Sequence, residues 1–190
     1  MKVTRTEGLV VWFLPLLTAS CVLFDSGPPI GDRLPEVQCE DLQSQRRSTS
    51  EIETPCILFF YNPSCRPCKN VLAGLHPYFE QAKGPLPSLY LLVKGDWKNG
   101  LTTSQSKGFP VLAISHQAWH SVFQINRTPV LLFYQTQRKL LQKQVGWRPA
   151  FIQKRILDRF VAENRRTAVQ SSSNDCNSVQ EHSHDTNSLR

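Results

Sequence analysis

The sequence predicts an α/β fold: a three-layer sandwich whose central mixed sheet is flanked by helices. Three observations carry this. Residues 56–61 (CILFFY), 89–93 (LYLLV) and 129–134 (PVLLFY) are continuous apolar runs, the pattern of strands buried on both faces. The segments between them space apolar residues three and four apart, as amphipathic helices do. A polar turn at 135–138 (QTQR) sends a further strand, 139–145, back antiparallel at an edge.

Pro55 precedes the first strand. Residues 69–81 place Val71, Leu72, Leu75, Tyr78 and Phe79 on one helical face, with Pro77 expected to kink the helix. Strand 89–93 is bounded by Pro87 and by Gly95-Asp96. Residues 109–114 form a short strand, and 117–123 a short helix with Ala118 and Val122 inward. After strand 139–145, Gly146 breaks the chain and Pro149 opens a last helix. Phe151, Ile152, Ile156, Leu157 and Phe160 give that helix its apolar stripe. Residues 37–42 could form a short edge strand with Val37 and Cys39 on one face, whereas 44–50 cannot bury anything.

At 190 residues the chain makes one domain with extensions, and 40% hydrophobic types suffice for a modest core. No run reaches the ~18–20 apolar residues of a membrane-spanning helix, which excludes a polytopic membrane protein. The formal net charge is +7, and residues 51–162 alone carry 14 Lys/Arg against 5 Asp/Glu. The positives are scattered rather than striped, so they read as a solvated basic surface and not as a nucleic-acid site.

Residues 1–24 read as a signal peptide or an N-terminal membrane anchor. Lys2 and Arg5 lead an apolar run at 9–17 (LVVWFLPLL), with Thr18-Ala19-Ser20 before Cys21. Residues 17–21 (LTASC) resemble a bacterial lipobox, which makes Cys21 a candidate for lipidation. Simple cleavage and a retained anchor remain open beside it. Each places the chain outside the cytoplasm, exported and membrane-tethered or periplasmic, where disulfides persist. Residues 25–54 read as a linker and opening segment, 55–162 as the domain, and 163–190 as a polar, disordered tail.

The chemistry lies at Cys65-Arg66-Pro67-Cys68. A two-residue gap at the start of a helix lets both sulfurs meet in its first turn. Free amides and the helix field there favour a thiolate over the free thiol of pKa about 8.5. Cys65 is thus the attacking nucleophile and Cys68 the resolving thiol. Pro67 tightens the turn, and Arg66 adds positive charge beside the pair. Half of a zinc site and an inert structural disulfide are the other readings of such a pair. Cys39, Cys56, His76, His116 and His120 are not spaced as a second ligand pair, so no metal is expected, and no cofactor. Cys56 reads as a small core residue, Cys39 as its partner or a free thiol, and Cys176 as a tail thiol.

With these residues in view, the sequence resembles the thioredoxin superfamily. The resemblance rests on residues 59–69 (FFYNPSCRPCK), Pro77, Arg127-Thr128-Pro129-Val130 and Gly146, and covers about 55–162. Within it, the chain looks most like the exported, membrane-tethered TlpA-type proteins of cytochrome maturation and thiol-disulfide housekeeping. Residues 109–112 followed by 118–123 look like their extra strand–helix insertion, and 30–35 like their opening segment. The resemblance implies a cis Thr128–Pro129 bond facing the thiols, with Thr128 pairing its backbone with a substrate. Pro129 would keep stray metal ions off the sulfurs. It also implies protein thiol/disulfide clients and an upstream membrane electron donor. Two departures stand out. Ser64 occupies the usual tryptophan position, and Phe59 occupies the place of a buried aspartate that helps deprotonate the second cysteine. A peroxiredoxin reading is weaker, because Asn62 stands where its threonine should. The function expected is thiol-disulfide exchange; the alternative is a non-catalytic interaction module whose CxxC merely locks the fold.

Overall fold

The computed structural model of the chain describes residues 26–82, 84–102 and 105–181, and side-chain surroundings as far as 167 except at 99 and 100. The expected signal or anchor at 1–24, Cys21 included, lies outside the described residues. Seven strands form one sheet: β1 (Gln38–Glu40), β2 (Arg46–Ser48), β3 (Cys56–Phe60), β4 (Ser88–Lys94), β5 (Val111–Ile114), β6 (Val130–Tyr134) and β7 (Leu140–Val145). Their spatial order is β2-β1-β5-β4-β3-β6-β7. Two long helices, α1 (Arg66–Gln81) and α2 (Ala150–Glu181), accompany them. The mixed α/β sandwich is as expected, with β7 antiparallel at an edge.

β3 sits inside the sheet, parallel to β4 and antiparallel to β6. Its five residues are all fully buried, and successive side chains enter opposite cores. Leu58 and Phe60 join Trp119, Phe123 and Leu132 on one face; Ile57 and Phe59 join Leu75, Leu131, Leu157 and Phe160 on the other. Burying each such side chain contributes about 1.5–3 kcal/mol, against about 1–2 kcal/mol for fixing its backbone. This surplus explains why the doubly apolar runs become the centre of the sheet. β5 lies between β4, to which it is parallel, and β1, to which it is antiparallel, and the turn at Ala118–Val122 follows it.

Several local expectations are corrected. The 118–122 segment is a π-turn, in which the Phe123 amide bonds to the Ala118 carbonyl at 3.0 Å. That wider turn buries Ala118, Trp119 and Phe123 and leaves Val122 38% exposed, so Val122 does not face inward. In α2, Phe151 and Ile152 point to solvent at 74% and 36% exposure. Gln153 is buried in their place and accepts a 2.7 Å bond from the Gln144 amide on β7. The helix starts after Pro149, and its inward face is set by Leu157, Phe160 and Val161.

The 44–50 stretch does bury residues. β2 pairs with β1 in a hairpin, and Thr49 is fully buried, donating to the Pro35 carbonyl at 2.6 Å and accepting from the Val37 amide at 2.9 Å. Residues read as a linker are thereby built into the domain. Leu140 ties in residues 31–32: the Gly31 amide donates to the Leu140 carbonyl and the Leu140 amide to the Asp32 carbonyl, both at 2.7 Å. The tail expected to be disordered from 163 begins as helix, since α2 runs on to Glu181. No glycine or proline interrupts 150–181, so nothing in the chain stops propagation. Residues 182–190 lie outside the description.

Candidate active site

β3 delivers the chain to the site. The Tyr61 amide bonds to the Leu92 carbonyl at 2.9 Å, holding the strand end against β4. Asn62 then turns the chain: its side-chain oxygen accepts from the Ser64 amide at 2.9 Å, and its carbonyl from the Cys65 amide at 3.0 Å. Cys65 is the N-cap of α1, in extended conformation, with Arg66 and Pro67 as the first helical residues. Its sulfur accepts from the Cys68 amide at 3.3 Å, satisfying one of the free amides of the helix start. A partial positive end thus lies against the sulfur.

The structure brings the Cys65–Cys68 segment and the Thr128–Pro129 loop together. Cys65 is half-buried, and its thiol points at the Thr128 carbonyl, 3.8 Å away. The Thr128–Pro129 peptide is cis. The Pro129 carbonyl accepts from the Gly146 amide at 2.8 Å, so the loop after β7 is tied to the same place. Arg66 and Pro67 are exposed beside the thiols. Cys68 is fully buried, and burial is the main cause that raises its thiol well above the ordinary range. The neighbouring Cys65 raises it further, while Thr128 and the Asn62 backbone oppose the shift.

Phe59 is sealed in the core that holds Cys68. Residues 54–79 and 97–157, which build the site, contain no Asp or Glu. No carboxylate is therefore supplied by these segments to take the Cys68 proton. Sequence reasoning missed Tyr61. It is buried, edge-on to Phe59 at 5.6 Å, and its hydroxyl is raised by burial and then by the charges of Cys68 and Cys65. The signal was present: Tyr61 alternates with Phe59 and ends the strand that leads to the motif.

The remaining cysteines and histidines lie elsewhere. Cys56 and Cys39 are buried free thiols, pushed up to about 12 and about 11 chiefly by burial. They cannot pair. Cys39 lies opposite Ile114, which pairs with Lys94, whereas Cys56 pairs with Ser88 six residues down the same strand. At ~3.3 Å per residue that is about 20 Å. His116 and His120 have ring centroids 4.4 Å apart, and the Lys94 ammonium is 3.0 Å from His120 Nε2. His76 pairs with Glu80 at 3.2 Å. Among the described residues, no three His, Cys, Asp or Glu side chains gather as a metal site.

No protein-family model matches the chain. No curated protein matches it either. Solved structures do. A thio-disulfide isomerase from Thermus thermophilus superposes with a TM-score of 0.55 at 18% identity, covering 71% of this chain and 96% of its own. The peroxidoxin BcpB from Mycobacterium tuberculosis gives 0.55 at 15% identity, covering 72% and 96%. The pneumococcal exposed lipoprotein thioredoxin Etrx1 from Streptococcus pneumoniae gives 0.53 at 17% identity, covering 66% and 99%. The chain therefore has the thioredoxin-like fold. Its structural neighbours are thiol-disulfide oxidoreductases and peroxidases of the thioredoxin superfamily, DsbE- and StoA-like proteins among them.

Proposed function

We propose that the chain is a thiol-disulfide oxidoreductase acting by dithiol–disulfide exchange on exported protein clients. One observation carries the reading: the Cys65 sulfur lies between the Cys68 amide and the Thr128 carbonyl, with the Cys68 thiol buried beneath. The helix start presents the Cys68 amide to the Cys65 sulfur, and the Thr128 backbone offers an edge for an extended client.

The Cys65 thiolate attacks one sulfur of the client disulfide. That bond breaks, a mixed disulfide forms, and the other client sulfur leaves as a thiolate that takes up a proton. Cys68 loses its proton and attacks the Cys65 sulfur, which releases the second client thiol and leaves a Cys65–Cys68 disulfide. The client gains two electrons and two protons, and a dithiol reductant, expected at the membrane, must return them. The signal-like residues 1–24 and the lipoprotein among the structural neighbours support an exported, membrane-tethered chain.

Cysteine variants of the full chain test this. Cys65→Ser abolishes disulfide reduction, because a hydroxyl does not provide the nucleophile at neutral pH. Cys68→Ser leaves the attack but nothing to resolve it, so mixed disulfides with clients accumulate on non-reducing gels. Wild-type protein inert toward every disulfide offered, with no trapping by Cys68→Ser, would return the reading to a non-catalytic interaction module.

A further inference from the structure

Three of the five large apolar side chains exposed among the described residues fall within 147–152: Trp147 at 49%, Phe151 at 74% and Ile152 at 36%. This stretch begins at Gly146, whose amide is bonded to the Pro129 carbonyl. Trp147 and Arg148 face α1 across a cavity of about 240 Å³, with Asn70, Ala73 and Gly74 on its other wall. That is smaller than the ~300–1,000 Å³ of small-molecule sites, and suits a single side chain.

Gly74 adds an independent sign. It occupies the interior of α1, where alanine would be more favourable, and a Cβ built there meets nothing within 4 Å. Packing does not require a glycine there, and the space above it is open. Gly74 is nine residues beyond Cys65, about 14 Å along the helix, or roughly four residues of extended chain. Charge points the same way. Arg66, Lys69, Arg127 and Arg148 are exposed on these segments, which hold no carboxylate at all.

We propose that the groove between α1 and residues 147–153 docks the client. Its occupant is a protein segment that carries an apolar side chain and an acidic residue about four positions from the cysteine under attack. The inference rests on the oxidoreductase reading above. Trp147, exposed one residue after the Gly146 that is bonded to Pro129, supplies the apolar contact of this groove. Arg148 meets the acidic residue, and the surrounding cations steer it in.

The test uses the reduced full chain and three synthetic peptides, each with one cysteine held as a mixed disulfide with 2-mercaptoethanol. Four residues away stands Glu-Phe, Lys-Phe or Glu-Ser; hydroxyethyl disulfide is the small, uncharged reference. Reduction of the Glu-Phe peptide should be about tenfold faster than of the Lys-Phe peptide at low salt, the gap closing as salt screens the charges. Arg148→Glu should reverse that order. Trp147→Ala and Gly74→Leu should each raise KM for the Glu-Phe peptide about fivefold and erase its advantage over Glu-Ser. Equal rates on all three peptides, with hydroxyethyl disulfide reduced, overturn the docking groove and leave the oxidoreductase reading standing. No reduction of any disulfide overturns the oxidoreductase reading and the groove with it. Loss of sedimentation with phosphatidylglycerol vesicles in Trp147→Ala, with no peptide preference, overturns the client in favour of a lipid surface.

Discussion

Cys68 and Phe59 are buried in one core, each with no exposed surface, and that core holds no carboxylate to take the Cys68 proton in the proposed exchange. The second half of the exchange should therefore be the slow half. Rapid-quench measurement of the mixed disulfide should show its decay accelerating about tenfold per pH unit between pH 7 and 9, as expected below the pKa of an essential thiolate. A decay independent of pH over that range would show that Cys68 ionises readily despite its burial.

Buried thiols also make stability fall in alkali. Cys56 is pushed from 9.0 up to about 12, so the folded protein keeps a proton that the unfolded chain releases. Stability from this site is fully present below pH ~9 and is lost as pH rises toward the folded value. The urea midpoint should drop between pH 9 and 11, and Cys56→Ala should flatten that drop. An equal slope in the variant would assign the loss to other groups.

The π-turn distinguishes two neighbouring positions. Trp119 is 2% exposed and packs edge-on against Phe60 at 5.1 Å and Trp97 at 5.5 Å. Trp119→Ala should cost about 3–5 kcal/mol in chemical unfolding. Val122→Ser, three residues on and exposed, should stay within about 0.5 kcal/mol. Reversed magnitudes would contradict the facing given to this turn.

Gly74→Ala should raise stability by about 0.5–1 kcal/mol, since the added methyl meets no neighbour and removes backbone freedom from the unfolded chain. Thermal unfolding of the two proteins reads this directly. A destabilised variant would mean that Gly74 relieves a contact, not that it keeps a groove open.

The Gln144–Gln153 pair links β7 to α2 within the core, at 2.7 Å. Gln153→Ala should cost about 1–3 kcal/mol, because it leaves the Gln144 amide buried with only a 3.4 Å contact to the Gly146 carbonyl. Replacing both with methionine should cost less than the single change. Additive losses in the double-mutant cycle would show that the two amides act separately.

Local patterns along the chain dictated the interior strands and the start of α1. Runs apolar on both faces can only be interior strands, and β3, β4 and β6 are those runs. Cys65-Arg66-Pro67-Cys68 after such a strand marks a helix start, because a proline without an amide and a capping sulfur both belong there. Tertiary structure decided which face each shorter segment shows. The apolar count of 118–123 does not reveal a π-turn, whose wider winding buries Trp119 and exposes Val122. Phe151 and Ile152 match a helical stripe, yet both stand in solvent while Gln153 turns in to meet Gln144. Of the 38–48 hairpin only the first strand was legible, within 37–42; its partner at 46–48 is three residues long, and the buried Thr49 after it is polar, satisfied by backbone groups brought from 35 and 37. Separating Cys39 from Cys56 likewise needed strand registers, which depend on pairing partners far along the chain. Local patterns fix backbone preference and polarity; facing and register come from contacts between distant segments, and no single segment encodes them.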